Sequence, residues 1–170
     1  MNNSSFEIDP QLYIFGWVMA CNNKAPRYAT ILNVSKRFGL DQSEAINTID
    51  NLVNSNYIKT CFGDNIKKND AISYLCPDNN SSWTSSPDVK TLKDLIETEF
   101  FACGLKIIRI LMTTSGATSL GLMEAITEYY GGTVLVAIDK ALENEVIRLG
   151  DNGELHITKD GLKIYSGIGK

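Results

Sequence analysis

Along the first third of the chain, apolar residues recur at helical spacing in three successive blocks, and each block is bounded by cap and turn residues. From Gln11 to about Cys21, Tyr13, Ile14, Trp17, Val18 and Cys21 form an apolar stripe. Asp9-Pro10 starts that helix, and Asn22-Asn23 with Pro26 ends it. The next block, with Ile31, Val34 and Phe38, has Thr30 placed to cap it and Gly39 to supply a left-handed turn, while Leu40 plugs the angle that follows. The third opens on Asp41 with Glu44 three residues on, a capping-box arrangement, and carries Ala45, Ile46, Ile49, Leu52 and Val53 on its inner stripe. Gln42, Ser43, Asn47, Thr48 and Asn51 therefore face outward. After these helices the period changes to that of strands. Two β-prone runs, Tyr57 to Phe62 and Ala71 to Cys76, flank the polar segment GDNIKKND and predict a hairpin.

The order helix, helix-turn-helix, hairpin predicts a winged helix spanning residues 1–78. The stretch PDNNSSWTSSP, from Pro77 to Pro87, breaks the composition and reads as a linker over residues 79–88, with Trp83 pinning it to one of the domains. Residues 89–170 repeat the logic of the first half. An apolar helix (Leu92, Leu95, Ile96, Phe100, Phe101) leads through Gly104 into LKIIRILMTT, followed by a helix from Ser119 to Tyr130, the Gly131-Gly132 turn and the segment TVLVAIDKALENEV. Strands at Ile147 to Leu149 and Leu155 to Thr158 flank GDNG, and a last short helix or strand holds Leu162, Ile164 and Tyr165. The expected fold class is mainly α with small β-hairpins, an α+β chain of tandem winged helix-turn-helix domains.

Charge changes how these helices are read. The net charge is −4, with seven basic and eight acidic residues up to Asn80, then nine and twelve from Ser81 onward. An acidic protein that binds a polyanion must concentrate its cations. Lys36-Arg37 ends the helix before the outward polar face, and Lys67-Lys68 lies in the hairpin loop. The proposed DNA-contacting set is therefore Lys36, Arg37, Gln42, Ser43, Asn47, Thr48, Asn51, Lys67 and Lys68, because amides and small hydroxyls can bond base edges while ammonium and guanidinium groups meet phosphate. In the second domain Val134, Ala137, Ile138, Ala141 and Leu142 are expected inside. Leu135 and Val136 would then point outward beside Asp139 and Lys140, as a contact for another copy or a protein partner.

Little supports other chemistry. Cys21, Cys61, Cys76 and Cys103 are widely spaced, no CxxC pair occurs and the chain has one histidine, so neither a metal site nor a redox dithiol is expected and all four are read as buried thiols. His156 alternates with Leu155 and Ile157 in a strand, and Gly131-Gly132 lacks the spacing of a nucleotide-binding turn; no enzyme and no cofactor is expected. A hydrophobic content of 44% with 21% charged residues marks a globular chain, and no apolar run is long enough to span a bilayer, so a cytoplasmic location is expected.

Two segments resemble the CaiF/GrlA family of enterobacterial transcriptional activators. They are LYIFGWVMA (Leu12 to Ala20), with its Tyr13 and Trp17, and FGLDQSEAINTI (Phe38 to Ile49), with Ser43, Ala45, Asn47 and Thr48. The resemblance runs from about Pro10 to Asp78. It implies a cytoplasmic regulator that activates promoters of adaptive, fimbrial or virulence genes, with Ser43, Asn47 and Thr48 in the recognition role. Members of that family are usually shorter and more basic than this chain, whose acidic second half points toward dependence on a partner. The leading expectation is thus a sequence-specific regulator of double-stranded promoter DNA, acting as a homodimer or with a regulatory protein. The alternative is an interaction adaptor or anti-regulator that never touches DNA.

Overall fold

A computed structural model describes residues 9–64, 71–78 and 81–168, with side chains described for all of these except 63–64, 71–72 and 165–168. The described residues form seven α-helices and two small antiparallel sheets, a mainly helical α+β architecture. The chain divides into two compact units, Met1–Glu97 and Thr98–Lys170, and the division falls within one helix and not in the 79–88 segment.

In the first unit, α1 (Pro10–Ala20) starts where the Asp9 side chain accepts from the Gln11 N–H at 2.9 Å. The apolar stripe expected on it is wider than a stripe. Every residue from Tyr13 to Val18 is buried, so α1 is enclosed by its neighbours. Gly16 is part of this enclosure, since a Cβ there would stand 2.9 Å from that of Leu92. Asn22 and Asn23, both at positive φ, turn the chain into β1 (Ala25–Pro26).

The next helix, α2 (Arg27–Phe38), begins three residues before Thr30, and Pro26 occupies its cap position without a side-chain bond. Thr30 is therefore no cap. It lies fully buried inside α2, where its hydroxyl donates to the Pro26 carbonyl at 2.8 Å and accepts from the Trp17 indole N–H at 2.9 Å. Asn33, equally buried, donates to the Tyr13 hydroxyl at 2.6 Å. Gly39 ends α2 at φ 64°, and the Leu40 N–H returns to the Ser35 carbonyl. Then α3 (Gln42–Asn54) opens on a complete capping box: Asp41 accepts from the Glu44 N–H at 2.8 Å, and Glu44 accepts from the Asp41 N–H at 3.0 Å.

Asn56, at positive φ, leads into β2 (Ile58–Asp64), which pairs with β3 (Ala71–Pro77). The three-stranded sheet has the order β1-β3-β2 and is antiparallel throughout, with Thr60 opposite Leu75 and Cys61 opposite Tyr74. Ile58 and Leu75 are buried and fix this face against the helices. Cys61 and Cys76 are joined by a disulfide, which corrects the expectation of four thiols. In this register Cys76 faces Lys59, so the two cysteines sit diagonally on one face of the ladder. Only Cys21 and Cys103 are buried thiols.

The described part of the expected linker, residues 81–88, is folded onto its neighbours. Ser82–Ser85 form a 3-10 turn, and Trp83 stacks on Tyr57 at 4.2 Å and meets Phe15 edge-on at 5.6 Å, which pins the segment to the first unit. The helix that follows, α4 (Pro87–Thr113), takes both apolar runs on either side of Gly104 into a single span of 27 residues. Its Val89, Leu92 and Ile96 are buried.

The second unit contains α5 (Ser119–Ala125), capped by the Thr118 hydroxyl accepting from the Gly121 N–H at 3.1 Å. This helix stops at Ala125 and does not reach Tyr130. Instead, Tyr130 caps α6 (Gly131–Glu143), so the two glycines form the first turn of that helix. An antiparallel pair, β4 (Ile147–Leu149) and β5 (Leu155–Ile157), is followed by α7 (Lys159–Ile168). The core unites Cys103 and Ile107 of α4 with Leu122, Ile126, Val134, Ala137, Ile138, Ile147 and Leu155. Thr158 ties the end of the hairpin down. Its hydroxyl bonds the carbonyls of Glu145 and Val146 at 2.6 and 3.0 Å and accepts from the Gly161 N–H.

Candidate nucleic-acid interface

On α3, the buried positions Ala45, Ile49 and Leu52 leave one face to solvent, and Gln42, Ser43, Asn47 and Asn51 are exposed on it. Three carboxamides and a small hydroxyl along one helix face are chemically suited to paired hydrogen bonds with base edges. Thr48 differs from the others. It is half-buried, and its hydroxyl donates to the Glu44 carbonyl at 2.9 Å.

Three carboxylates lie on or beside this helix, and each has a local partner. Asp41 and Glu44 satisfy the first-turn amides through the capping box, which also suits the positive end of the helix dipole. Asp50 pairs with Arg27 at 3.2 Å. The capping carboxylates still concentrate negative charge at the N-terminus of α3, which disfavours phosphate there and leaves Asn47 and Asn51, farther along, as the residues best placed for a base.

The cations differ in how far they are committed. Lys36 is exposed in the last turn of α2. Its neighbour Arg37 is half-buried, with its guanidinium over the Tyr13 ring at 4.7 Å. Lys24 rests over Tyr74 at 4.3 Å, and Lys59 is exposed on β2. Lys67 and Lys68 lie outside the described residues. The sequence reading missed Lys59, although its place in a strand directly after the polar-faced helix was a usable signal.

In the second unit the expected contact pair is not exposed. Val136 is buried at 3% relative exposure and Leu135 is half-buried, because α6 is covered on more of its circumference than a single stripe. The exposed apolar side chains of this unit are instead Phe101, Met112, Leu120, Leu162 and Ile164, with Tyr130 at the margin. The diagonal placement of Cys61 and Cys76 depends on the register of the hairpin, which alternation within each strand does not give.

Among the described residues, no group of three or more His, Cys, Asp or Glu side chains is placed to hold a metal ion, and no helix is long and apolar enough to cross a membrane. His156 lies 3.5 Å from the Glu154 carboxylate, which is held below the usual range first by its own backbone N–H and then by the His156 ring and the Asn152 N–H.

No family model and no curated protein matches the chain. Among solved structures, a chain of the "Nse1-Nse3-Nse4 complex" is similar over 91% of this chain and 71% of its own, at 13% sequence identity and a TM-score of 0.27. A likeness at that level supports no reading of fold family or function.

Proposed function

We propose that the chain is a sequence-specific DNA-binding transcriptional regulator built from two winged-helix units, of which the first reads DNA. In this reading α3 enters the major groove, the β2–β3 hairpin acts as the wing, and Asn47 and Asn51 bond base edges. Lys36, Lys59, Lys67 and Lys68 neutralise flanking phosphates, and Gln42 and Ser43 fix the helix along the groove. One observation carries the reading: α3 exposes amides and a hydroxyl on a face whose carboxylates are all locally engaged. The resemblance to the CaiF/GrlA activators favours activation over repression. The second unit, in the same proposal, pairs with another copy or with a regulatory protein through side chains other than Leu135 and Val136.

A second reading is favoured by the cations. Arg37, Arg27 and Lys24 are each engaged within the first unit, in a chain of net charge −4. An adaptor that docks proteins through both units has no need of free cations. Selection of bound fragments from a genomic library, followed by titration at several salt concentrations, separates the two. A DNA reader enriches a defined sequence and weakens steeply with salt, whereas an adaptor enriches none.

A further inference from the structure

We propose that Cys61 and Cys76 form a reversible thiol–disulfide site that governs whether the outer part of the β2–β3 hairpin stays paired. The inference rests on the hairpin alone and does not depend on whether that hairpin touches DNA. Two features of the molecule carry it, the supply of reactive sulfur and the end of the third strand's pairing at Tyr74, beyond which the described sheet has two strands.

The four cysteines are not equivalent. Cys21 is 7% exposed and Cys103 is fully buried. Burial pushes the Cys103 thiol up to about 12, which leaves it almost no thiolate with which to react. Cys61 and Cys76 are both half-buried on a surface sheet, within reach of a small thiol. Lys59 faces Cys76 across the ladder. Exchange with a low-molecular-weight thiol is therefore directed to this pair.

The pair also sits where the core runs out. Inward of the bridge Ile58 is buried, and Leu75, between the two rungs the bridge spans, is buried as well; both anchor the strands. Outward of it, the pairs among the described residues are Phe62 with Ser73, Gly63 with Ile72 and Asp64 with Ala71. Phe62 is 74% exposed, so most of its ring stays in solvent. A two-stranded ribbon without a buried face is marginal in water. The diagonal bridge restrains this end, since it prevents both separation and slippage of the two strands beyond the reach of β1.

The exchange is balanced as follows. An external thiolate attacks one sulfur of the bridge, the other sulfur leaves as a thiolate and takes a proton from solvent, and a mixed disulfide forms. A second external thiol then releases the first protein sulfur. In sum, one protein disulfide is reduced to two thiols while two external thiols are oxidised to one external disulfide.

The full chain, equilibrated in buffers of varied reduced-to-oxidised glutathione ratio, quenched in acid, alkylated after denaturation and weighed, tests the site. Two labels are expected at the oxidising end and four at the reducing end. Hydrogen exchange at residues 61–64 and 71–74 should accelerate at least tenfold in the reduced form, with α1 and α3 unchanged. The double variant Cys61→Ser, Cys76→Ser should exchange like the reduced protein in every buffer. If that variant fails to fold, the wild-type readouts decide alone. The same number of labels at every ratio, or equal exchange in the two states, would overturn the proposal.

Discussion

Thr30 shows how one side chain can be placed correctly in sequence and still be assigned the wrong work. Threonine near a helix start usually caps, yet here the helix begins earlier and the hydroxyl links the Trp17 indole to the Pro26 carbonyl in the buried interior. The bond to Trp17 is buried and the one to Pro26 part-buried, so removing the hydroxyl takes from the buried indole N–H the acceptor that Thr30 provides. Thr30→Val, which keeps the shape, should cost about 1–3 kcal/mol by denaturant unfolding. An unchanged midpoint would mean that the bond contributes nothing. Gly161 makes the corresponding point in the second unit. A Cβ there would overlap the Val146 carbonyl, which is already bonded by Thr158. Gly161→Ala should therefore destabilise by about 1–3 kcal/mol, as overpacking against backbone does.

At the scale of elements, what the sequence discloses is what short-range chemistry decides. The capping box of Asp41 and Glu44, the left-handed Gly39 and the β-prone runs that form β2 and β3 are local, and all are legible from the residues themselves. The extent of α4 is not local. Gly104 lowers helix propensity in its middle, but Ile96, Phe100, Cys103 and Ile107 on either side are buried, and that burial outweighs the roughly 1 kcal/mol cost of a glycine. Because a Cβ at Gly104 would meet nothing within 4 Å, Gly104→Ala should stabilise the protein by about 0.5–1 kcal/mol, read as a raised melting temperature. Val136 failed for a related reason. Periodicity gives one inner stripe to a helix, whereas α6 is buried at Val134, Val136, Ala137 and Ile138, which only the packed structure reveals. The outward face of α3 was read almost correctly, with Thr48 the exception, since an amphipathic helix on the surface obeys the stripe rule that a more enclosed one breaks.

For the molecule as a whole, the governing question is how an acidic chain could hold a polyanion. Three of the first unit's cations, Arg37, Lys24 and Arg27, are engaged within it, at Tyr13, Tyr74 and Asp50. With Lys36, Lys59, Lys67 and Lys68 as the phosphate contacts, counterion release predicts a log–log slope of affinity against salt of about −3 to −4. The direct test is binding of the full chain to a selected promoter fragment across a salt series, alongside the double variant Asn47→Ala, Asn51→Ala. The account predicts that slope for both proteins, with discrimination between selected and scrambled DNA falling at least tenfold in the variant alone. Affinity that ignores salt, or wild-type protein that binds selected and scrambled DNA equally, would contradict it.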